Sequence, residues 1–166
     1  MMNVKRILRH LVANRAQVTR AFPKASIARI EQAIQNSEQQ HAGQIRFAVE
    51  YALPAASLYQ ELAPRERAID VFSQLRMWDT THRNGVLIYV LLADRSVEIV
   101  ADRGLHARTT GAVWEKICHD MEAAFQNGQY EAGVVSGIEA VTQLLMKHFP
   151  ANLAAVNELP DSVIIL

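Results

Sequence analysis

Hydrophobic residues recur along this chain with two different periods, and the changes of period divide it into elements. Near the N-terminus Val4, Ile7, Leu8, Leu11 and Val12 keep the i, i+3, i+4, i+7, i+8 spacing of one helical face, with Lys5, Arg6 and Arg9 mostly off it. This spacing predicts a basic amphipathic helix within residues 1–21. Phe22-Pro23 interrupts it, and the proline suits the first turn of a second helix, where its missing N–H has no intrahelical role. Ile27, Ile30 and Ile34 line that helix, which is expected to end near His41-Ala42-Gly43 with the glycine left-handed.

The period then falls to two. Ile45, Phe47 and Val49 alternate with Arg46, Ala48 and Glu50, so residues 44–51 predict a strand buried mainly on one face. Leu53-Pro54 reads as a turn, and a third helix is expected from Pro64 with Ala68, Val71, Phe72, Leu75 and Trp78 inward. Asn84-Gly85 introduces residues 86–92, almost wholly apolar, as a central strand covered on both faces. A strand, a helix and a strand in this order imply a right-handed crossover between parallel strands. Asp94-Arg95 reads as a two-residue turn into a third, antiparallel strand over residues 96–101.

Two long helices follow. The first turns Val113, Trp114, Ile117, Cys118, Met121 and Phe125 inward and ends at Asn127-Gly128; the second runs from about Gln129 to Pro150 on Tyr130, Val134, Ile138, Val141, Leu144, Leu145 and Phe149. Residues 157–161 form a polar turn, and residues 163–166 an apolar tail that docks or adds an edge strand. The expected architecture is α/β: a three-layer αβα sandwich with a small mixed sheet, plus the basic N-terminal helix. Residues 1–21, 22–150 and 151–166 are then helix, domain and tail.

Charge changes this picture in one respect. The 166 residues carry 17 basic and 17 acidic side chains, yet all seven basic residues before Glu31 precede any acid, so residues 1–30 hold +7 and the remainder −7. A basic amphipathic helix lies on an anionic membrane, grips an acidic partner or, most commonly, docks its apolar stripe on its own domain with its charges in water. The last is the expectation here. The acidic body and the lack of aromatic stacking residues among the arginines speak against nucleic acid. One cysteine rules out an intramolecular disulfide, and the longest apolar run, residues 85–93, is far shorter than the about 20 residues of a membrane-spanning helix. The N-terminus lacks the continuous apolar stretch of a secretory signal, so a cytoplasmic location is expected.

Little in the chain speaks directly of chemistry. No G-x-G, Gly-Lys, H-E-x-x-H or G-x-S-x-G occurs, which removes the usual phosphate cradles, zincins and nucleophile elbows. Cys118-His119-Asp120 cannot converge, because helical neighbours point about 100° apart; the cysteine reads as buried and structural. The two-residue hairpin would set Asp102 opposite Leu87 and Gly104 opposite Gly85, bringing residues 79–84 and 102–106 to one end of the sheet. The candidate site residues are therefore Asp79, His82, Arg83, Asp102, Arg103 and His106. Arg83 and Arg103 would hold a phosphate, Asp79 or Asp102 would bind a cation or act as nucleophile, and His82 or His106 would protonate a leaving group. The competing reading is a polar, solvated sheet end. The opposite end, near Glu50, Tyr51 and Asp94, is where α/β ligands usually sit, but the sequence shows less chemistry there.

Trp78-x5-Asn84-Gly85-Val86-Leu87-Ile88, Asp94-Arg95-x2-Glu98-Ile99, Gly104-Leu105 and Phe125-x2-Gly128-x-Tyr130-x2-Gly133-x3-Gly137-Ile138 together resemble the TPM domain, found in many bacterial proteins, over roughly residues 22–149. The resemblance implies the αβα sandwich. Some members are described as acid phosphatases and some as calcium-binding domains. Exported members usually carry an acid at the start of the first strand, Asp or Asn before Asn-Gly, and G-x-G-L after the third strand. Here Gln44, Arg83 and Asp102-Arg103-Gly104-Leu105 stand in those places, which weakens a site for calcium or another divalent cation. The basic helix, Ala101-Asp102-Arg103-Gly104, Phe149-Pro150 and the Asn157-Glu158-Leu159-Pro160-Asp161 tail resemble a cytoplasmic branch of the family. That branch is often encoded beside a membrane-anchored TPM protein and a LemA-like protein. The resemblance thus implies a non-catalytic accessory domain at the inner membrane, with such a protein as partner; contact of the N-terminal helix with anionic lipid is the alternative that its own basic amphipathic pattern offers. The alternative it implies is a weak acid-phosphatase-like hydrolase.

Overall fold

The computed structural model describes residues 4–151 and 156–166. Parts of the predicted N-terminal helix (residues 1–3) and tail (residues 152–155) lie outside the described residues.

One four-stranded sheet organises the chain, in the order β3-β2-β1-β4. Strands β1 (Gln44–Glu50) and β2 (Gly85–Leu91) are parallel, β3 (Ser96–Ala101) is antiparallel to β2, and β4 (Ile164–Ile165) is parallel to β1. Because side chains alternate across a strand, the sheet has two apolar faces. Ile45, Phe47, Val49, Val86, Ile88, Val90, Val97 and Ile99 pack with Ile30 and Ile34 of α3 (Lys24–Glu38), with Trp114, Ile117 and Met121 of α7 (Gly111–Gln126), and with Val134, Ile138, Val141 and Leu145 of α8 (Tyr130–His148). Ala48, Leu87, Tyr89, Leu91 and Val100 meet Leu58 of α4 (Ala55–Tyr59) and Ala68, Val71 and Phe72 of α5 (Pro64–Gln74) on the other face. The layers are αβα, as expected.

Several details differ from the expectation, each for a local reason. The N-terminal segment is two helices, α1 (Val4–Val12) and α2 (Arg15–Ala21), parted at Ala13-Asn14. Helix α2 serves the core: Val18 and Phe22, four residues apart, are buried, and the Phe22 ring meets Phe47 edge-on at 5.5 Å and Tyr130 at 5.6 Å. Helix α3 ends at Glu38, before Gly43, which has no left-handed backbone; a Cβ there would strike the Leu145 side chain, so its role is space. The glycine that does close a helix left-handed is Gly128, at φ +74°, as the sequence predicts. Strand β1 is buried on both faces, Ala48 lying in the second apolar cluster and Glu50 being held by Arg67 of α5. Trp78 and Val113 are exposed rather than inward; Trp78 follows the end of α5 and has the Arg76 guanidinium 5.6 Å from its ring. Two short helices, α4 and α6 (Arg103–His106), replace segments read as turn and loop.

The β2–β3 hairpin has a four-residue loop, Leu92-Ala93-Asp94-Arg95, because the amides of Leu92 and Ala93 donate back to β1 at Glu50 O (3.0 Å) and Tyr51 O (3.1 Å) and so leave the β3 ladder. Arg95 closes the loop at φ +53°. Asp102 therefore faces Gly85, two residues from the expected register, and every side chain keeps its expected face.

Candidate functional site

The loops expected to meet do meet, through their backbones. The Asp102 amide donates to Gly85 O and the Gly104 amide to Arg83 O, both at 2.9 Å. Gly104 is required by that approach, since a Cβ would lie 2.6 Å from Arg83 O and 2.7 Å from His82 O. Among the described residues no hydrogen bond or ion pair joins the side chains of any two of the six predicted residues. Asp79 is exposed and 3.7 Å from Arg76; Arg83, Arg103 and His106 are exposed, and His82 is half-buried. Asp102 is buried and caps α6, its Oδ1 accepting the Arg103 amide at 2.7 Å. Its Oδ2 and Asn84 Oδ1 are buried oxygens without a donor. Two oxygens fall well short of the six to eight that calcium takes, and the neighbouring arginines oppose a cation. Gln44 spends its Oε1 on the Glu158 and Leu159 amides, 2.9 Å each. Among the described residues no group of three or more His, Cys, Asp or Glu is arranged to hold a metal.

The denser electrostatic site lies at the other end, where the parallel strands finish. Asp94, 7% exposed, receives Arg6 Nε at 3.0 and 3.2 Å and Arg6 Nη2 at 2.8 Å, with Arg9 at 3.5 Å and His10 Nε2 at 3.0 Å. His10 Nδ1 accepts the Leu53 amide at 2.9 Å, which leaves the ring proton on Nε2, facing Asp94. Arg6 Nη2 also donates to Leu62 O at 2.7 Å. Burial pushes the Asp94 carboxyl up, but the hydrogen bonds of Arg6 and His10 and the charge of Arg6 hold it below its ordinary value. Close by, Glu50 takes a two-pronged bond from Arg67 (2.8 and 3.0 Å) and the Tyr89 hydroxyl at 2.6 Å.

These contacts overturn the expected orientation of α1. Arg6 and His10, one turn apart, form its docked side. Val4, Leu8, Leu11 and Val12 are instead 61, 56, 66 and 68% exposed. At about 100° per residue they make one continuous arc, bordered on one side by exposed Lys5 and Arg9 and on the other by half-buried Ile7. The helix is amphipathic as predicted and fastened by its polar side.

From the sequence Glu50, Tyr51 and Asp94 fall at this end, but nothing there brings in Arg6 and His10, which reach their partners across 43 to 88 positions. The one signal was the i, i+4 pair Arg6-His10 in a chain whose β2–β3 loop offers a lone aspartate.

Comparison with known proteins agrees with the architecture. No curated protein matches the chain. The solution structure of BA42, from the psychrophilic bacterium Bizionia argentinensis, is 30% identical, covering 86% of this chain and 93% of its own, with a TM-score of 0.75. The N-terminal domain of a P. gingivalis protein shares the fold at 23% identity, with a TM-score of 0.57 over 81% of this chain and 87% of its own. The family model of the TPM domain matches residues 17–144, from within α2 to within α8. This chain belongs to the TPM domain family.

Proposed function

We propose that the chain is a non-catalytic accessory domain that docks, through α1, at a surface it shares with a membrane-associated partner. The observation that carries this reading is the fastening of α1: its polar side is held on Asp94 and its apolar arc faces solvent. Leaving four large apolar side chains exposed costs roughly 1.5–3 kcal/mol each relative to burial, and a continuous exposed apolar patch is characteristic of an interaction surface. The lack of any hydrogen bond or ion pair joining two of the six candidate side chains among the described residues supports the same reading, because hydrolysis needs nucleophile, acid and phosphate ligand within one another's reach. Release of phosphate from an aryl phosphate tests the proposal, with and without calcium, in wild type and in Arg83→Ala and His106→Ala. The expected result is buffer-level release throughout. Turnover by the wild type that either substitution abolishes would establish the hydrolase instead.

A further inference from the structure

Beside the free arc of α1 lies a cleft of about 320 Å³, walled by α1, α2 and the β2–β3 loop. Arg9, Arg20 and Arg95 line it together with Gln17, and Val12 joins it to the exposed apolar arc. Asp94 balances part of the charge of Arg6 and Arg9. Among the described residues no hydrogen bond or ion pair engages the Arg20 or Arg95 side chain. Three guanidiniums in one cleft without a lining carboxylate make a site for an anion with several acceptor oxygens, which guanidinium forks match best. An anionic site bordered by exposed leucine and valine fits a ligand with a charged head and an apolar body.

We infer that this cleft receives the phosphate of an anionic phospholipid headgroup while Leu8, Leu11 and Val12 enter the acyl boundary beside it. The inference rests on the docking reading of α1 and names the surface it docks on. Helix α1 then lies in the interface plane, its apolar arc toward the lipid and its docked side holding the domain on top. Lys5 and Arg15, both exposed, add to the attraction.

Sedimentation of the full chain with phosphatidylcholine vesicles, with and without roughly one third phosphatidylglycerol, tests this. Wild type should sediment with the anionic vesicles, less as salt rises, and stay in solution with neutral ones. Each of Arg20→Gln and Arg95→Gln should weaken binding roughly fivefold, and the pair roughly 25-fold. Leu8→Gln with Leu11→Gln should also weaken it while leaving the thermal melt in place. Failure to sediment overturns the lipid assignment, as does binding indifferent to the arginine or leucine changes. Inorganic phosphate provides the second arm: saturable shifts of the arginine signals on adding it, without vesicle binding, would make the cleft a soluble-phosphate site. Vesicle results leave the hydrolase question untouched, and phosphate release leaves this one untouched, so the two failures are distinguishable.

Discussion

At single residues, buried ionisable groups set the pH response. Glu38 Oε1 accepts the Ile45 amide at 2.9 Å, while its buried Oε2 lacks a donor and the Asp161 carboxylate stands near. Burial, aided by Asp161, raises its pKa to about 8. The folded chain thus holds a proton that the unfolded chain releases, and this stability, full below pH 4.5, is lost as pH rises through about 8. His41 is the reverse: fully buried, with Ser37 Oγ 2.8 Å from Nε2 and the Gly43 amide 3.1 Å from Nδ1, it is pulled down to about 4. Its contribution is lost as pH falls from 6.5 through about 4. Between 4.5 and 6.5 the two nearly cancel, and above 6.5 Glu38 acts alone. Denaturant melts should therefore show wild-type stability falling between pH 6.5 and 8, by on the order of 2 kcal/mol. Glu38→Gln, which keeps an acceptor for Ile45 and a donor for Asp161, should be flat there. Parallel profiles would contradict the assignment.

Cys118 illustrates what residue-level reading could see. Its place on the inner face of a helix was legible from spacing, but it is half-buried rather than buried. Burial, with Glu98 and Glu122 nearby, pushes its thiol up to about 12. A thiolate is the reactive form, so alkylation by iodoacetamide at pH 8 should be far slower than that of a free cysteine. A rate equal to that of the small thiol would show that the site is open.

At the scale of elements, strands and long helices were legible because each buries a stripe of its own period; β3 was placed residue for residue. What spacing could not settle was which stripe of α1 faces inward. Hydrophobic pattern favours the apolar stripe, whereas three charged or polar contacts to one aspartate, nearly ninety residues away, decide for the other. Asp94→Ala should therefore release α1 without unfolding the sheet. Hydrogen exchange should rise at residues 4–12 and stay slow in β1 and β2. Breaking a buried ion pair costs ~3–5 kcal/mol locally, enough to populate the detached helix. Protection at residues 4–12 equal to wild type would mean that other contacts hold the helix.

For the molecule as a whole, the fold bridges the charge division of the sequence: Arg6 and Arg9 pair with Asp94 and Arg29 with Glu131, while Val18 and Phe22 are buried in the core. The C-terminal tail, expected either to dock or to add an edge strand, does the second and closes the far edge of the sheet beside β1. Leu166 N–H donates to Val49 O at 2.9 Å, Glu158 accepts from Thr81, and Glu31 accepts the Val163 amide at 2.9 Å. The choice between the two was not legible, because it depends on Gln44 and Glu31 receiving backbone amides more than 110 positions away. The candidate residues at 79–106 were correctly brought to one sheet end, yet the cap on Asp102 and the ion pair of Asp79 belong to local geometry that loop sequence does not specify.

The central claim is that α1 is held by its polar side and offers its apolar side to a lipid surface. A nitroxide at Leu11→Cys in a Cys118→Ser background, read by power-saturation electron paramagnetic resonance, tests it most directly. Without vesicles the label should be mobile and open to water-soluble relaxant. With phosphatidylglycerol-containing vesicles it should become shielded from that relaxant and open to oxygen, as in the acyl boundary. A label already immobile without vesicles, or one equally water-accessible with them, would contradict the account.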